Sequence, residues 1–258
     1  MRSTVLDLGC GNGEFGALLQ SALGTPEILL GSDFDRSALR SARGRTAYSA
    51  VVPADAKHLP FADRSIDTIC AHGVLSAIDP GLPKALEEIR RVLVPDGEFY
   101  CVVRTPRFRE SYFWTRFFCQ LGLRRMAEFY AARMDRRCTS SHTRFDTQDW
   151  LELLSGASLE AERVVGFFPA RLVTVWSLLA WQPLRVIALL KLVPWPPLQR
   201  AAASAQRALF DRIYRTTPID ADPEECGAIL ILAKPGAADR IASDRTAGSE
   251  CCRGAAAG

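Results

Sequence analysis

The sequence predicts an α/β fold: a parallel sheet covered by helices on both faces. Two observations carry that expectation. Over the first hundred residues, short apolar runs of strand length alternate with stretches of helical spacing, the order a parallel sheet needs when its crossovers are helices. Between the first apolar run and the first helical stretch lie Gly9, Gly11, Gly13 and Gly16. Glycines there allow a tight turn out of the strand and close approach of a ligand.

TVLDL (4–8) reads as the first strand. Phe15, Leu18, Leu19, Ala22 and Leu23 recur at helical spacing, and Gly24-Thr25-Pro26 ends that helix. EILLGSD (27–33) is the second strand, followed by a helix from Ser37 to Arg43. AVVPAD (50–55) is a third strand weakened by Pro53, and SIDTICA (65–71) a fourth. Leu82, Leu86, Ile89 and Leu93 mark a helix; Pro95-Asp96-Gly97 is a turn before EFYCVVR (98–104), the fifth strand. Further on, Asp146 or Thr147 caps a helix with Trp150, Leu151 and Leu154 that Gly156 closes. LEAERVVGF (159–167) and CGAILILAKP (226–235) read as sixth and seventh strands.

Composition narrows the function classes. Of 258 residues, 48% are hydrophobic and 24% charged, which excludes wholesale disorder. No uncharged apolar run reaches the roughly 18 residues of a membrane span. The first ten residues read as a buried strand rather than a leader. Eight cysteines contain no C-x-x-C pair, and three of them sit in apolar strand-like runs; a reduced, cytoplasmic chain follows. Net charge is +3, but ten arginines between Arg104 and Arg144 face three acids, so that stretch carries +7. Aromatics are interleaved with them. Lysine is scarce, so the arginines reflect composition, and nucleic acid is not the expected partner.

Asp7-Leu8-Gly9-Cys10-Gly11-Asn12-Gly13 carries the chemistry. A helix following such a loop turns its N–H groups toward a ligand. Gly11, Gly13 and Gly16 also satisfy the dinucleotide fingerprint G-x-G-x-x-G. Asp33 ends the second strand about 20 residues on, where an acid suits ribose hydroxyls. Both readings imply an adenosine-containing cofactor. Asp7 separates them: a carboxylate beside the loop fits a pyrophosphate badly and a cationic amino group well. Asp55, at the end of the third strand, suits an adenine amino group.

DLGCGNG, GSDFDRSALRSAR, ADAKHLPFADRSIDTICAHGVL and ALEEIRRVLVPDGEFY resemble the successive motifs of class I S-adenosylmethionine-dependent methyltransferases, in particular the small-molecule, type 11-like branch. The resemblance implies a Rossmann-like, doubly wound seven-stranded sheet of order 3-2-1-4-5-7-6, the last strand antiparallel, with helical lid insertions. The domain would span 1–235, with acceptor-side insertions at 104–146 and 169–225 and a disordered tail at 236–258. It implies S-adenosyl-L-methionine as cofactor. Asp7, Gly9, Gly11 and Gly13 would frame the methionine end and ribose, Asp33 would take the ribose hydroxyls, and Phe34 would pack on the adenine. Asp55 and Ala56 would meet the adenine edge; Ala71 and His72 would lie near the sulfonium. The frequent L-E-H-[IV] after the fourth strand stands here as Leu75-Ser76-Ala77-Ile78, and the usual Pro-Gly-Gly as Pro95-Asp96-Gly97.

Of three histidines, His58 reads as an exposed loop residue. His72 and His142 are the candidates for a general base or acceptor contact. Asp63 and Asp67 do not need a paired catalytic role, and no Cys/His set has metal-ligand spacing. The expected function is methyl transfer to a small, bulky hydrophobic or lipid-like acceptor. Residues 169–198 could also rest on a membrane surface, making the chain peripherally membrane-associated. Two other readings stay open: a degenerate, non-catalytic cofactor-binding module, and an NAD-dependent oxidoreductase.

Overall fold

The computed structural model describes residues 3–23, 26–44, 48–78, 80–137, 145–180 and 222–236. Seven strands form one sheet in the order β3-β2-β1-β4-β5-β7-β6, as the resemblance implied. β1 (Thr4–Leu8) pairs in parallel with β2 (Ile28–Asp33) and β4 (Ile66–His72). β2 pairs likewise with β3 (Ala50–Pro53), and β4 with β5 (Leu93–Arg104). β7 (Ala228–Pro235) is antiparallel to its neighbours. On its β6 (Leu159–Gly166) side, Phe167 N–H donates to Ala228 O and Gly236 N–H to Ser158 O, so residue numbers fall on one strand as they rise on the other.

The chain divides into two compact units. The first comprises 1–103, 147–164 and 230–258; the second comprises 104–146 and 165–229.

In the first unit β1 is central, and its Val5, Leu6 and Leu8 are buried. A strand flanked on both sides has no solvated face, which is why TVLDL lacks polar alternation. The helices are α1 (Glu14–Leu23), α2 (Arg36–Arg43), α3 (Leu82–Val92) and α7 (Thr147–Gly156). α3 buries Leu82, Ala85, Leu86, Ile89 and Val92 at helical spacing. Trp150 of α7 is wholly buried. Several expected boundaries move by one or two residues, and two changes are informative. The third strand ends at Pro53 rather than Asp55, because proline brings no N–H to a ladder. Leu93 to Arg104 is a single irregular strand rather than a turn and a shorter strand. Gly97 is needed there because a Cβ would lie 2.9 Å from Asp67 O.

The second unit is built around aromatics. Its helices are α4 (Pro106–Glu110), α5 (Phe113–Gln120), α6 (Arg124–Arg137) and α8 (Ala170–Ala180). Phe108, Tyr112, Tyr130, Ala131, Met134 and Val173 form a buried cluster. Arginines close its edge: the Arg104 guanidinium lies 4.7 Å from the Phe108 ring centroid, and Arg109 pairs with Asp135 at 3.1 Å. Among the described residues no helix is long and apolar enough to cross a membrane.

Candidate functional site

The glycine loop leaves β1 at Leu8. Gly9, Gly11 and Gly13 all have positive φ (74°, 53° and 87°), a backbone region that L side chains enter only with strain. Gly9 N–H and Cys10 N–H both donate to Ser32 O, pinning the loop to β2. A Cβ at Gly9 would lie 2.6 Å from the Val74 side chain. At Gly11 no described atom lies within 4 Å of where a Cβ would stand. One glycine is thus demanded by packing and the other faces open space, where a ligand can meet backbone.

Asp33 meets that loop. Its Oδ2 accepts from Gly11 N–H at 2.8 Å, and its Oδ1 accepts from Asp35 N–H at 2.9 Å. Asp35 in turn caps α2 by accepting from Ser37 N–H at 2.7 Å. These two short-range bonds turn Phe34 outward, and it is 81% exposed. An exposed aromatic ring beside a strand-ending carboxylate offers a face on which a flat ring can stack.

Asp7 is only 1% exposed, and Tyr48 Oη donates to its Oδ2 at 2.5 Å. Burial lifts its pKa from 3.8 to about 6; the Tyr48 hydrogen bond opposes the rise and nearby Asp33 adds to it. The same surroundings push the Tyr48 phenol upward. A Cβ on Gly16 would overlap the phenol, and one on Gly31 would come within 3.2 Å of the ring. Both glycines therefore make room for this tyrosine. Sequence reasoning missed Tyr48 and read Gly16 as part of a dinucleotide fingerprint, where the space it leaves belongs to the phenol.

Asp55 and Ala56 follow β3 in a small turn. His58 N–H donates to Asp55 O, Lys57 N–H donates to Asp55 Oδ1 at 3.0 Å, and Lys57 Nζ lies 3.5 Å from Oδ2. The loop that continues from this turn is clamped by α3. Glu88 Oε2 accepts from Leu59 N–H at 2.8 Å, while Arg91 donates to Leu59 O, Phe61 O, Glu88 and Asp63. These bonds lower the Glu88 pKa from 4.5 to about 2, with the Arg91 hydrogen bond as the main cause. Glu88 and Arg91 were also not foreseen. Asp63 and Asp67 serve apart, since Asp67 Oδ2 accepts from Thr4 N–H at 2.8 Å.

Ala71 is buried at the end of β4, and His72 beside it is exposed. The His72 ring stacks on Phe15 of α1, centroids 4.8 Å apart. Asp7, the glycine loop, Asp33, Phe34, Ala71 and His72 are thus gathered at the carboxyl ends of β1, β2 and β4, the ligand edge of open α/β sheets. His142 lies outside the described residues. Among the described residues, no group of three or more His, Cys, Asp or Glu could hold a metal.

Comparison with known proteins agrees with this geometry. A family described as a methyltransferase domain matches residues 6–101. Demethylmenaquinone methyltransferase of Staphylococcus aureus (strain MRSA252) is 32% identical over 114 residues, covering 42% of this chain and 47% of that one. The chain therefore spans about half the length of the curated relatives it matches. Among solved structures, one similar chain belongs to the complex between the Haloferax volcanii Trm112 methyltransferase activator and a methyltransferase. Its TM-score is 0.55 at 20% identity, over 91% of this chain and 82% of that one. Geranyl diphosphate C-methyltransferase from Streptomyces coelicolor A3(2), solved with S-adenosyl-L-homocysteine, has TM-score 0.55 at 14% identity, over 90% and 73%. Residues 6–101 match the methyltransferase-domain family, and the chain shares its fold with the solved methyltransferases to which it is similar.

Proposed function

We propose that the chain transfers a methyl group from S-adenosylmethionine to a small, bulky hydrophobic or lipid-like acceptor. The observation that carries the reading is the left-handed glycine loop bonded to Asp33 beside the exposed Phe34. The residues fit the cofactor: an acid for ribose hydroxyls, an open ring for adenine, bare backbone at Gly11, and the buried Asp7 carboxylate for the amino end. Asp55 and Ala56 are assigned to the adenine edge, Ala71 and His72 to the sulfonium side. The cofactor supplies an electrophilic methyl group. The chain holds the acceptor aligned and dry. His142 and His72 are the candidates to take a proton from a neutral acceptor hydroxyl.

Acceptor recognition is assigned to the insertions, 104–146 and 169–225. Their aromatic, arginine-edged interior and a cleft of about 270 Å³ lined by Phe113, Arg116, Phe117, Gln120 and Thr174 suit an apolar acceptor with an anionic end. Similar proteins are named for demethylmenaquinone and geranyl diphosphate; both compounds are apolar, and the second ends in an anionic diphosphate.

The test is calorimetric titration with S-adenosylmethionine, S-adenosylhomocysteine and NAD. Binding of both sulfur nucleosides but not NAD is expected; binding of NAD alone overturns the reading. The third glycine of the dinucleotide fingerprint is already accounted for by Tyr48. A second reading, binding without turnover, draws on Ser76 and Ala77, which stand where the L-E-H-[IV] motif has its polar pair. Binding with no turnover across a broad acceptor panel would favour it.

Two substitutions test the site. Asp33→Ala should weaken cofactor binding by about 1–3 kcal/mol, since ribose hydroxyls lose a charged partner and Gly11 N–H loses its acceptor. Asp33→Asn, which keeps an acceptor for Gly11, should lose less; an unchanged dissociation constant for both would remove Asp33 from the site. His142→Ala should lower turnover at unchanged cofactor affinity. Full activity in that variant would rule out its role as base or acceptor contact.

A further inference from the structure

We propose that the α5–α6 corner of the second unit is a docking surface for an anionic lipid bilayer. The turn between the helices is closed by Gly122 at φ 71°, with Gly122 N–H donating to Cys119 O and Leu123 N–H to Phe118 O. This is the Schellman geometry, in which the residue after the glycine commonly folds back onto the helix. Leu123 does not: it is 44% exposed, and Leu121 on the same turn is 58% exposed.

α6 continues the pattern. Ala127, Tyr130, Ala131 and Met134 are buried at spacings that define one face of the helix. Met126, Phe129 and Arg133 are spaced three and four residues apart, so they share another face. That face is turned to solvent, with Met126 at 50% and Phe129 at 66% exposure. Phe117 of α5 is also exposed. Soluble surfaces show such side chains singly; a concentrated set marks an interaction site.

Charge decides the occupant. Between Phe113 and Met134 the chain has Arg116, Arg124, Arg125 and Arg133 against the single acid Glu128. All four arginines are exposed. Apolar side chains flanked by arginines match the interfacial zone of a membrane, where rings and aliphatic chains enter the acyl boundary and guanidinium groups reach anionic headgroups. The membrane contact expected from the sequence lay at 169–198. There, the described part, α8, turns Leu172, Val173 and Ser177 inward, and residues 181–198 lie outside the described residues. Among the described residues of this unit, the large exposed apolar side chains lie at α5–α6, Phe167 apart.

The experiment is co-sedimentation of the full chain with vesicles of phosphatidylcholine alone or mixed equally with phosphatidylglycerol. Binding is expected only to the mixed vesicles, and it should weaken as salt is raised. Leu123→Asp with Phe129→Asp should weaken it about tenfold or more. Arg125→Gln and Arg133→Gln should each weaken it about fivefold. These positions are exposed, so circular dichroism and S-adenosylhomocysteine affinity should match the parent in every variant. Failure to bind mixed vesicles, or binding that the Leu123/Phe129 variant leaves intact, overturns the proposal. So does a parent dimer by light scattering that Phe129→Asp converts to monomer without vesicle binding, which would show a second copy covering the face. None of these outcomes bears on the cofactor, whose titration stands separately.

Discussion

Asp7→Asn should stabilise the ligand-free protein by about 3 kcal/mol near pH 8 and leave it almost unchanged near pH 4. Asp7 is buried, and burial raises its carboxyl from 3.8 to about 6 in the folded chain. A folded-state pKa above the unfolded one means that the native protein holds the proton more tightly. Stability therefore falls as pH climbs from about 4 to about 6, then stays low. Asparagine keeps an acceptor for Tyr48 and carries no charge, so it escapes that loss. Urea unfolding of both proteins across this range is the check; a stability difference independent of pH would refute the assignment. The same variant should bind S-adenosylmethionine more weakly at pH 8, because the cationic end loses its counter-charge. Stability and binding then move in opposite directions, which is expected when a buried charge is retained for a ligand. The parent should also release a proton on binding near pH 6, visible as a buffer-dependent heat, since a nearby cation lowers a carboxyl pKa.

The legible parts of this molecule were those whose causes are local. The strand-glycine-helix order announced the sheet because each apolar run, turn and periodic stretch reports its own geometry. That Asp33 meets the glycine loop was legible because it ends the strand next to the one that carries the loop. Tyr48 was not, because its partner Asp7 lies 41 residues earlier and the surrounding Ala-Tyr-Ser-Ala has no pattern of its own. Gly16 was visible but assigned to a cofactor loop, when the space it leaves is filled by the Tyr48 phenol. The arginine-rich segment was legible only as composition. Its aromatics form a core with Arg104 and Arg109 at the edge, while Arg116, Arg124, Arg125 and Arg133 face solvent. Only contacts between distant residues decide such cases, and composition cannot supply them.

Glu88→Ala should destabilise the fold by about 2–4 kcal/mol and weaken S-adenosylhomocysteine binding as well. Glu88 is 8% exposed, although it sits on a helix face where a carboxylate ordinarily meets water. It is kept there by two partners: Leu59 N–H on the loop after Ala56, and the Arg91 guanidinium. Removing it strands a buried N–H and leaves Arg91 with Asp63 and the two loop carbonyls. The loop that begins at Asp55 then loses one of its bonds to α3, and Asp55 and Ala56, proposed to meet the adenine edge, are held less firmly. Glutamine retains an acceptor for Leu59 and should recover part of the stability, but not the ion pair. The acid dependence runs opposite to that of Asp7. Glu88 titrates at about 2 rather than 4.5, so its contribution is full above about pH 4.5 and is lost as pH falls toward 2. Parent and Glu88→Ala should therefore differ most at neutral pH and converge in strong acid. Equal denaturation midpoints at pH 7 would mean that Arg91 holds the loop alone; lower stability with unchanged nucleoside affinity would detach the loop from the cofactor site.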